Sequence, residues 1–399
     1  MEKIIGNDSQ KAKHRRSDNV DIVQELDNFK VIDSKILTLL FISALISTTT
    51  VVVILVYNAW YTNTPIEALY VSGGIALILY LLLSNELFEK FPQTIKILWQ
   101  RKLLQPFSKN ALKAKNSLQK EPVLKFLQES RLQINDRLSL VFGFAGFFIS
   151  LWLVWLFDHY WILKIPDYAK SIPVPLLLGL FIRTVFIFTC FVCGIVARQI
   201  FVVGKRVYDL GKQFRLDVKT NHPDGCGGLS PIGDLCLKLA YCIAPFLILI
   251  GAWLILTNTL DISYLHMQSS QLNSLISTLQ ILLLPFIVLS FLIFFFPITS
   301  IHTSMKRTKS IYDVQLDLIS QKIHFIEIEI LTQADNLPND RRIILEENID
   351  FLKRSQSRFQ SIPTYPFRIS HLFRLTSSQI IPIIGVSMSV VSFIKDLVK

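Results

Sequence analysis

The residues best able to do chemistry in this 399-residue chain crowd into one short stretch. Asn221-His222-Pro223-Asp224-Gly225-Cys226-Gly227-Gly228-Leu229 sets a histidine, a carboxylate and a thiol at alternate positions within a glycine-rich turn. Imidazole and carboxylate are groups that move protons, and backbone N–H groups in a tight turn can cradle an ion or phosphate. His222, Asp224, Gly227 and Gly228 are therefore candidate ligand- or ion-binding residues. The same composition also fits a plain turn, since Pro, Asp and Gly are turn formers. Asp234 and Cys236 follow, but the paired Cys and His spacings of zinc sites are missing, and neither a metal nor another cofactor is expected. The chain has no G-x-S-x-G elbow, Walker A loop or H-E-x-x-H. With no nucleophile to set beside His222 and Asp224, no catalytic residue is assigned.

A second set of chemical interest lies in an apolar run. Arg183 and Arg198 are fifteen positions apart, about 22 Å along a helix at 1.5 Å per residue. Both could snorkel to opposite interfaces, or line a watery path for an anion or neutral solute. Cys190 and Cys193 form C-x-x-C in the same run, where small apolar packing is the expected role. Apolar runs without mid-depth Asp, Glu or Lys disfavour a carboxylate proton relay or an acidic cation filter.

The elements that must carry these groups are greasy. Hydrophobic residues make up 51% of the chain and charged residues 18%, against roughly 25% charged in ordinary globular proteins. Mean hydropathy is +0.45. Disordered, collagen-like and disulfide-rich secreted classes are excluded. A spanning helix needs about 20 apolar residues, and six stretches qualify: Ile36–Tyr57, Ala68–Leu83 with its flanks, Leu138–Phe157, Leu176–Val203, Leu237–Thr257 and Leu275–Ile298. Each must satisfy its own backbone, so each is read as a helix. The polar first 35 residues lack the pattern of a cleavable signal, so the first run is expected to be an anchor. Small residues such as Gly143 and Gly146 suit close helix packing, and Pro245, Pro285 and Pro297 are candidate kinks of the fifth and sixth runs.

Orientation follows from Lys and Arg. Counting from the N-terminus, the segments up to Lys35, 58–67, 87–137, 158–174, 204–238, 258–274 and 301–377 carry seven, none, eleven, two, six, none and eleven. The rich segments are expected in the cytoplasm with the N-terminus, and the C-terminus is expected there too. The net charge of +11 then reads as topology plus attraction to anionic lipid headgroups. Nucleic acid is not an expected partner, because no basic patch sits on a recognisable binding module. A homo-oligomer is expected.

The pattern H-P-D-x-x-G-G-L ahead of a span resembles a loop in uncharacterised bacterial multi-pass membrane proteins. Pro363-Thr364-Tyr365-Pro366-Phe367, then Phe373 and Ile381-Pro382, resembles their C-terminal pattern. The matching positions are His222, Pro223, Asp224, Gly227, Gly228, Leu229, Pro363, Pro366, Phe367 and Pro382. The resemblance covers about the last 180 residues and implies architecture and a bacterial cytoplasmic membrane, with no activity attached.

The resulting expectation is an all-α polytopic membrane protein with six transmembrane helices. A cytoplasmic tail (1–35) precedes hairpin 36–86, a cytoplasmic helical segment (87–137) broken at Pro92, Pro106 and Pro122, and hairpin 138–203. The loop segment 204–236, hairpin 237–300, a cytoplasmic helical hairpin (301–362) and a short re-entrant or interfacial C-terminal segment (363–399) follow. Ile311, Val314, Leu318 and Phe325 mark the first helix of the cytoplasmic hairpin. Leu345, Ile349, Leu352, Gln356 and Phe359 mark the second. The expected function is a channel-like or transport protein with a cytoplasmic helical gate or sensor. The alternatives are an anchored interaction or signalling subunit, and a membrane enzyme built on the His222–Leu229 loop.

Overall fold

The computed structural model describes residues 42, 46, 65–106, 120–160, 173–219, 222–259, 269–332, 338–360, 362–385 and 387–388. The first expected span and the N-terminal tail lie almost wholly outside these residues. In chain order the elements are α1 (Pro65–Gln100), β1 (Leu104–Pro106), α2 (Lys120–Ile134), α3 (Leu138–Tyr160), α4 (Pro173–Gln213), β2 (Phe214–Leu216), α5 (Ser230–Tyr241), α6 (Ala244–Thr259), α7 (Ser269–Thr332), α8 (Asn339–Gln360) and α9 (Ile369–Ser378).

Among the described residues, three helical stretches are long and apolar enough to cross a membrane: Pro122–Trp155, Arg183–Gln213 and Ile276–Thr332. A fourth is formed by Ser230–Tyr241 with Ala244–Ile255, if that pair, bent by 44°, counts as one span. The surface of α3 explains why. Phe144, Phe148, Trp152 and Trp155 are all exposed, Phe148 by 65%, and a contiguous apolar face of that size needs lipid or a partner against it. The opposite side of α3 meets α4 closely. A Cβ on Gly146 would stand 2.5 Å from the Cys190 carbonyl oxygen, so glycine there lets two backbones touch.

The elements differ from expectation in two ways. Helix α1 runs through Pro92. The lost hydrogen bond is outweighed by a stripe of Leu87, Phe91, Ile95 and Leu98, at most 1% exposed, which holds both halves in one core. Helix α7 continues through Pro285 and Pro297 for 64 residues, with Pro297 seated against Gly204 of α4. The second difference is a two-stranded antiparallel ribbon, in which Leu104 pairs with Leu216 and Pro106 with Phe214. Three-residue strands carry too little alternation to be seen in sequence.

The main core sits where the ends of α1, α4 and α7 meet α2, the ribbon and α5. Seven of the twelve residues of α5 are buried. A second cluster, with Leu247, Leu254 and Leu283, joins α6 to α7. The chain beyond α9 packs on α6 as well: a Cβ on Gly385 would lie 2.7 Å from the Gly251 carbonyl oxygen.

The segment expected to form a helical hairpin has α8 folded back on α7. Phe359 stacks on Tyr312 at 5.3 Å between ring centroids, Gln356 donates to the Ser320 hydroxyl at 3.1 Å, and Ile349 is buried. The Ile311–Val314–Leu318–Phe325 stripe takes no part in this seam. It faces away, with Leu318 54% and Phe325 71% exposed.

Candidate functional site

The glycine-rich loop is built around one carboxylate. Asp224 Oδ1 accepts the backbone N–H groups of Cys226 and Gly228, both at 2.9 Å, and Oδ2 accepts that of Ser230 at 3.3 Å. Ser230 opens α5, whose preceding residue Leu229 supplies no side-chain cap, so Asp224 satisfies an otherwise orphaned helix-start donor and complements the helix dipole. His222 Nδ1 lies 2.9 Å from Asp224 Oδ1, and Arg101 Nη1 lies 3.7 Å from Oδ2. Burial pushes the Asp224 acid upward, but the bonds from Gly228, Cys226, Ser230 and His222 outweigh it and hold the carboxyl below its ordinary 3.8.

The glycines are there because the turn needs them. Gly227 and Gly228 have φ of +66° and +92°, a region that L side chains rarely adopt. A Cβ on Gly227 would fall on Val218, and one on Gly228 would come within 2.9 Å of Leu103. The loop is thus pressed between the two strands' flanks, and the Lys219 N–H donates to the Gly227 carbonyl at 3.1 Å.

Two arginines from distant elements fasten the loop. Arg101 donates to the Gly228 carbonyl at 2.8 Å. It stands where α1 ends in a reversing turn: Lys102 takes φ 57°, and the Leu103 N–H reaches back to the Leu98 carbonyl at 3.0 Å, the pattern of a Schellman stop. Arg368, just ahead of α9, donates Nε to the Asp224 carbonyl at 2.6 Å and Nη2 to the Pro223 carbonyl at 3.4 Å. Beside it, His371 Nδ1 accepts the Arg368 N–H at 2.9 Å. That fixes the ring proton on Nε2, which donates to Asp234 Oδ1 at 2.8 Å.

The stretch 363–367 reaches the same body. The Thr364 carbonyl lies 2.7 Å from His302 Nδ1, Tyr365 stacks on His302 with centroids 4.3 Å apart, and Phe367 meets Phe294. The two sequence patterns that stood about 140 residues apart are in contact, since Pro363 also lies against the position a Gly227 Cβ would take.

This arrangement spends its chemical groups internally. A carboxylate offers about four acceptor positions, and three N–H groups, an imidazole and a guanidinium already converge on Asp224. The N–H groups that could have cradled an anion hold the protein's own carboxylate. Cys226 is 1% exposed, and burial first, with the Asp224 charge second, raises its thiol above 9.0, the reverse of a reactive cysteine. Among the described residues no group of three or more His, Cys, Asp or Glu could hold a metal ion.

The other predicted pair stays apart from the loop, on α4. Arg183 is half-buried. Arg198 lies over the Phe142 ring at 5.9 Å, and its Nη1 is buried without a hydrogen-bond partner. Next to it, Gln199 is fully buried, and neither its Nε2 nor its Oε1 is bonded. Sequence reasoning passed over Gln199, Arg101, Arg368 and His371. Only Arg368 and His371 carried a signal, as neighbours of the Pro363–Phe367 pattern. Comparison with known families, characterised proteins and solved structures returns no match.

Proposed function

We propose that this is a six-span protein of the bacterial cytoplasmic membrane acting as an anchored interaction or signalling subunit, with the α7–α8 hairpin as its partner-binding element. The observation that carries this reading is the uncovered apolar stripe on α7 from Ile311 to Leu331. Helix α7 leaves its apolar portion near Ile298 and continues as one helix to Thr332, about 50 Å further at 1.5 Å per residue. The stripe starts about 20 Å past Ile298 and runs on, away from the apolar portion, to Leu331, so it asks for protein rather than lipid.

The topology draws support from what packs together. The Lys- and Arg-rich segments assigned to one side form a single body: Gln105 bonds Asp217 at 3.2 Å, Arg101 bonds Gly228, Lys238 pairs with Glu86, and Arg368 bonds Asp224. Headgroup-attracting cations and a plugged loop then share the inner face. The Gly385–Gly251 approach supports a C-terminal segment entering the membrane beside α6.

The direct test is a photo-reactive phenylalanine analogue at Phe325, irradiated in native membranes. Protein adducts at Phe325, and none from the same group at Asp350 on α8, are expected. Irradiation that yields no adduct at Phe325 removes the reading.

A second reading, a channel-like or transport protein, is favoured by Gln199 and Arg198. An unbonded buried amide costs about 1–3 kcal/mol, and water reaching it would repay that. The path would run along the inner half of α4. Flux of a small anion or neutral solute in proteoliposomes, abolished by Gln199→Leu, would establish it.

A further inference from the structure

We infer that the occupant of the exposed α7 stripe is a second copy of the same helix, paired with it in parallel and in register. The inference rests on reading the hairpin as an interaction element and adds the partner's identity, orientation and contacts. Ile311, Val314, Leu318, Phe325 and Ile328 are separated by three, four, seven and three residues, and all are more than 40% exposed. That is a heptad seam with Ile311, Leu318 and Phe325 at a, and Val314 and Ile328 at d. The position between Leu318 and Phe325 that completes the d row is Gln321, also exposed. One polar residue in such a seam weakens association but fixes register. The opposite face of α7 is already occupied by α8, so the stripe is a distinct surface.

Charge chooses the partner. In a parallel in-register pair, the g residue of one helix faces the e residue of the next heptad on the other. Here g is Asp317 and e is Lys322, both exposed. The pair is attractive and occurs twice by symmetry. The membrane chooses the orientation. Two copies inserted in one bilayer share a topology, and α7 continues from its apolar portion as one helix, so both extensions run the same way. Three heptads are marginal in dilute solution, but tethering to one membrane raises effective concentration.

The test uses the full-length chain in native membranes. Val314→Cys puts a thiol at a d position, and Asp313→Cys puts one at an outward c position. Mild oxidation is expected to give at least tenfold more disulfide-linked dimer from Val314→Cys than from Asp313→Cys. In the Val314→Cys background, Asp317→Lys is expected to cut the dimer severalfold, and Asp317→Lys with Lys322→Asp to restore it. Absent dimer, equal yields at the two cysteines, or a charge swap that fails to restore would each overturn the inference. A monomeric Val314→Cys chain whose Phe325 analogue still marks a different protein would sink the self-pairing and leave the interaction reading standing. No adduct of any kind at Phe325 would sink both.

Discussion

The Arg368 guanidinium donates to the main-chain carbonyl of Asp224 at 2.6 Å, clasping a loop to a segment 144 residues further along the chain. The clasp lands on the one residue that already gathers its own loop. Asp224 uses its carboxylate inward, toward three N–H groups, and its carbonyl outward, toward Arg368. Loop and C-terminal segment are therefore one mechanical unit.

Cutting the clasp should loosen the loop without unfolding the helices. Arg368→Gln is expected to cost about 1 kcal/mol, less than a buried charged bond because the group is exposed. The faster amide exchange it causes should be confined to 222–230 and 363–371. Uniform acceleration along the chain would contradict the clasp.

Removing the carboxylate should do more. Asp224→Ala leaves the Cys226, Gly228 and Ser230 N–H groups without their acceptor and is expected to cost about 2–4 kcal/mol, read as a lower thermal midpoint in detergent. Asp224→Asn keeps one carbonyl acceptor and should fall between.

The same residue sets an acid limit. Its folded-state carboxyl titrates below the ordinary 3.8, so the stabilisation is full above that value and is lost as pH falls through the folded value. Loss of loop protection on acidification below about pH 4 is expected in the wild type. Asp224→Asn should lack this component, and an identical acid profile in the two proteins would remove the role given to Asp224.

Cys226 should be chemically quiet. Its thiol is buried and its ionisation raised, so alkylation read by mass spectrometry should be at least tenfold slower than for an exposed cysteine. Gly227→Ala, which drives a methyl into Val218, should speed it. Fast labelling of the wild type would mean the loop is open.

Gln199→Leu separates the two functional readings. If the amide is simply buried, replacing it with an apolar side chain of similar size is expected to raise the thermal midpoint, by about 1 kcal/mol or more in stability, and to leave pairing intact. A loss of solute flux instead would mark a path.

Much of this architecture was legible because lipid and water impose coarse rules on sequence. Apolar run lengths gave α3, α4, α6 and the apolar part of α7, and the turn chemistry of 222–229 gave a structured loop. Long-range partners were not legible. Nothing in the spacing of Arg101 or Arg368 ties them to Asp224, because contacts across more than 100 residues leave no local period. The stripe at Ile311–Phe325 showed the limit of periodicity in another way: it located an apolar face of α7 correctly, but a helix can carry two such faces, and the one that packs on α8 runs through Tyr312 and Ile323. The proline rule failed at Pro92 because tertiary packing outweighed one lost hydrogen bond.

The most direct test of the account is the sidedness of the hairpin. With Glu347→Cys on α8, a membrane-impermeant maleimide should leave the residue unmodified in intact cells and modify it fully in inverted vesicles. Labelling in intact cells would place the hairpin outside and contradict the account.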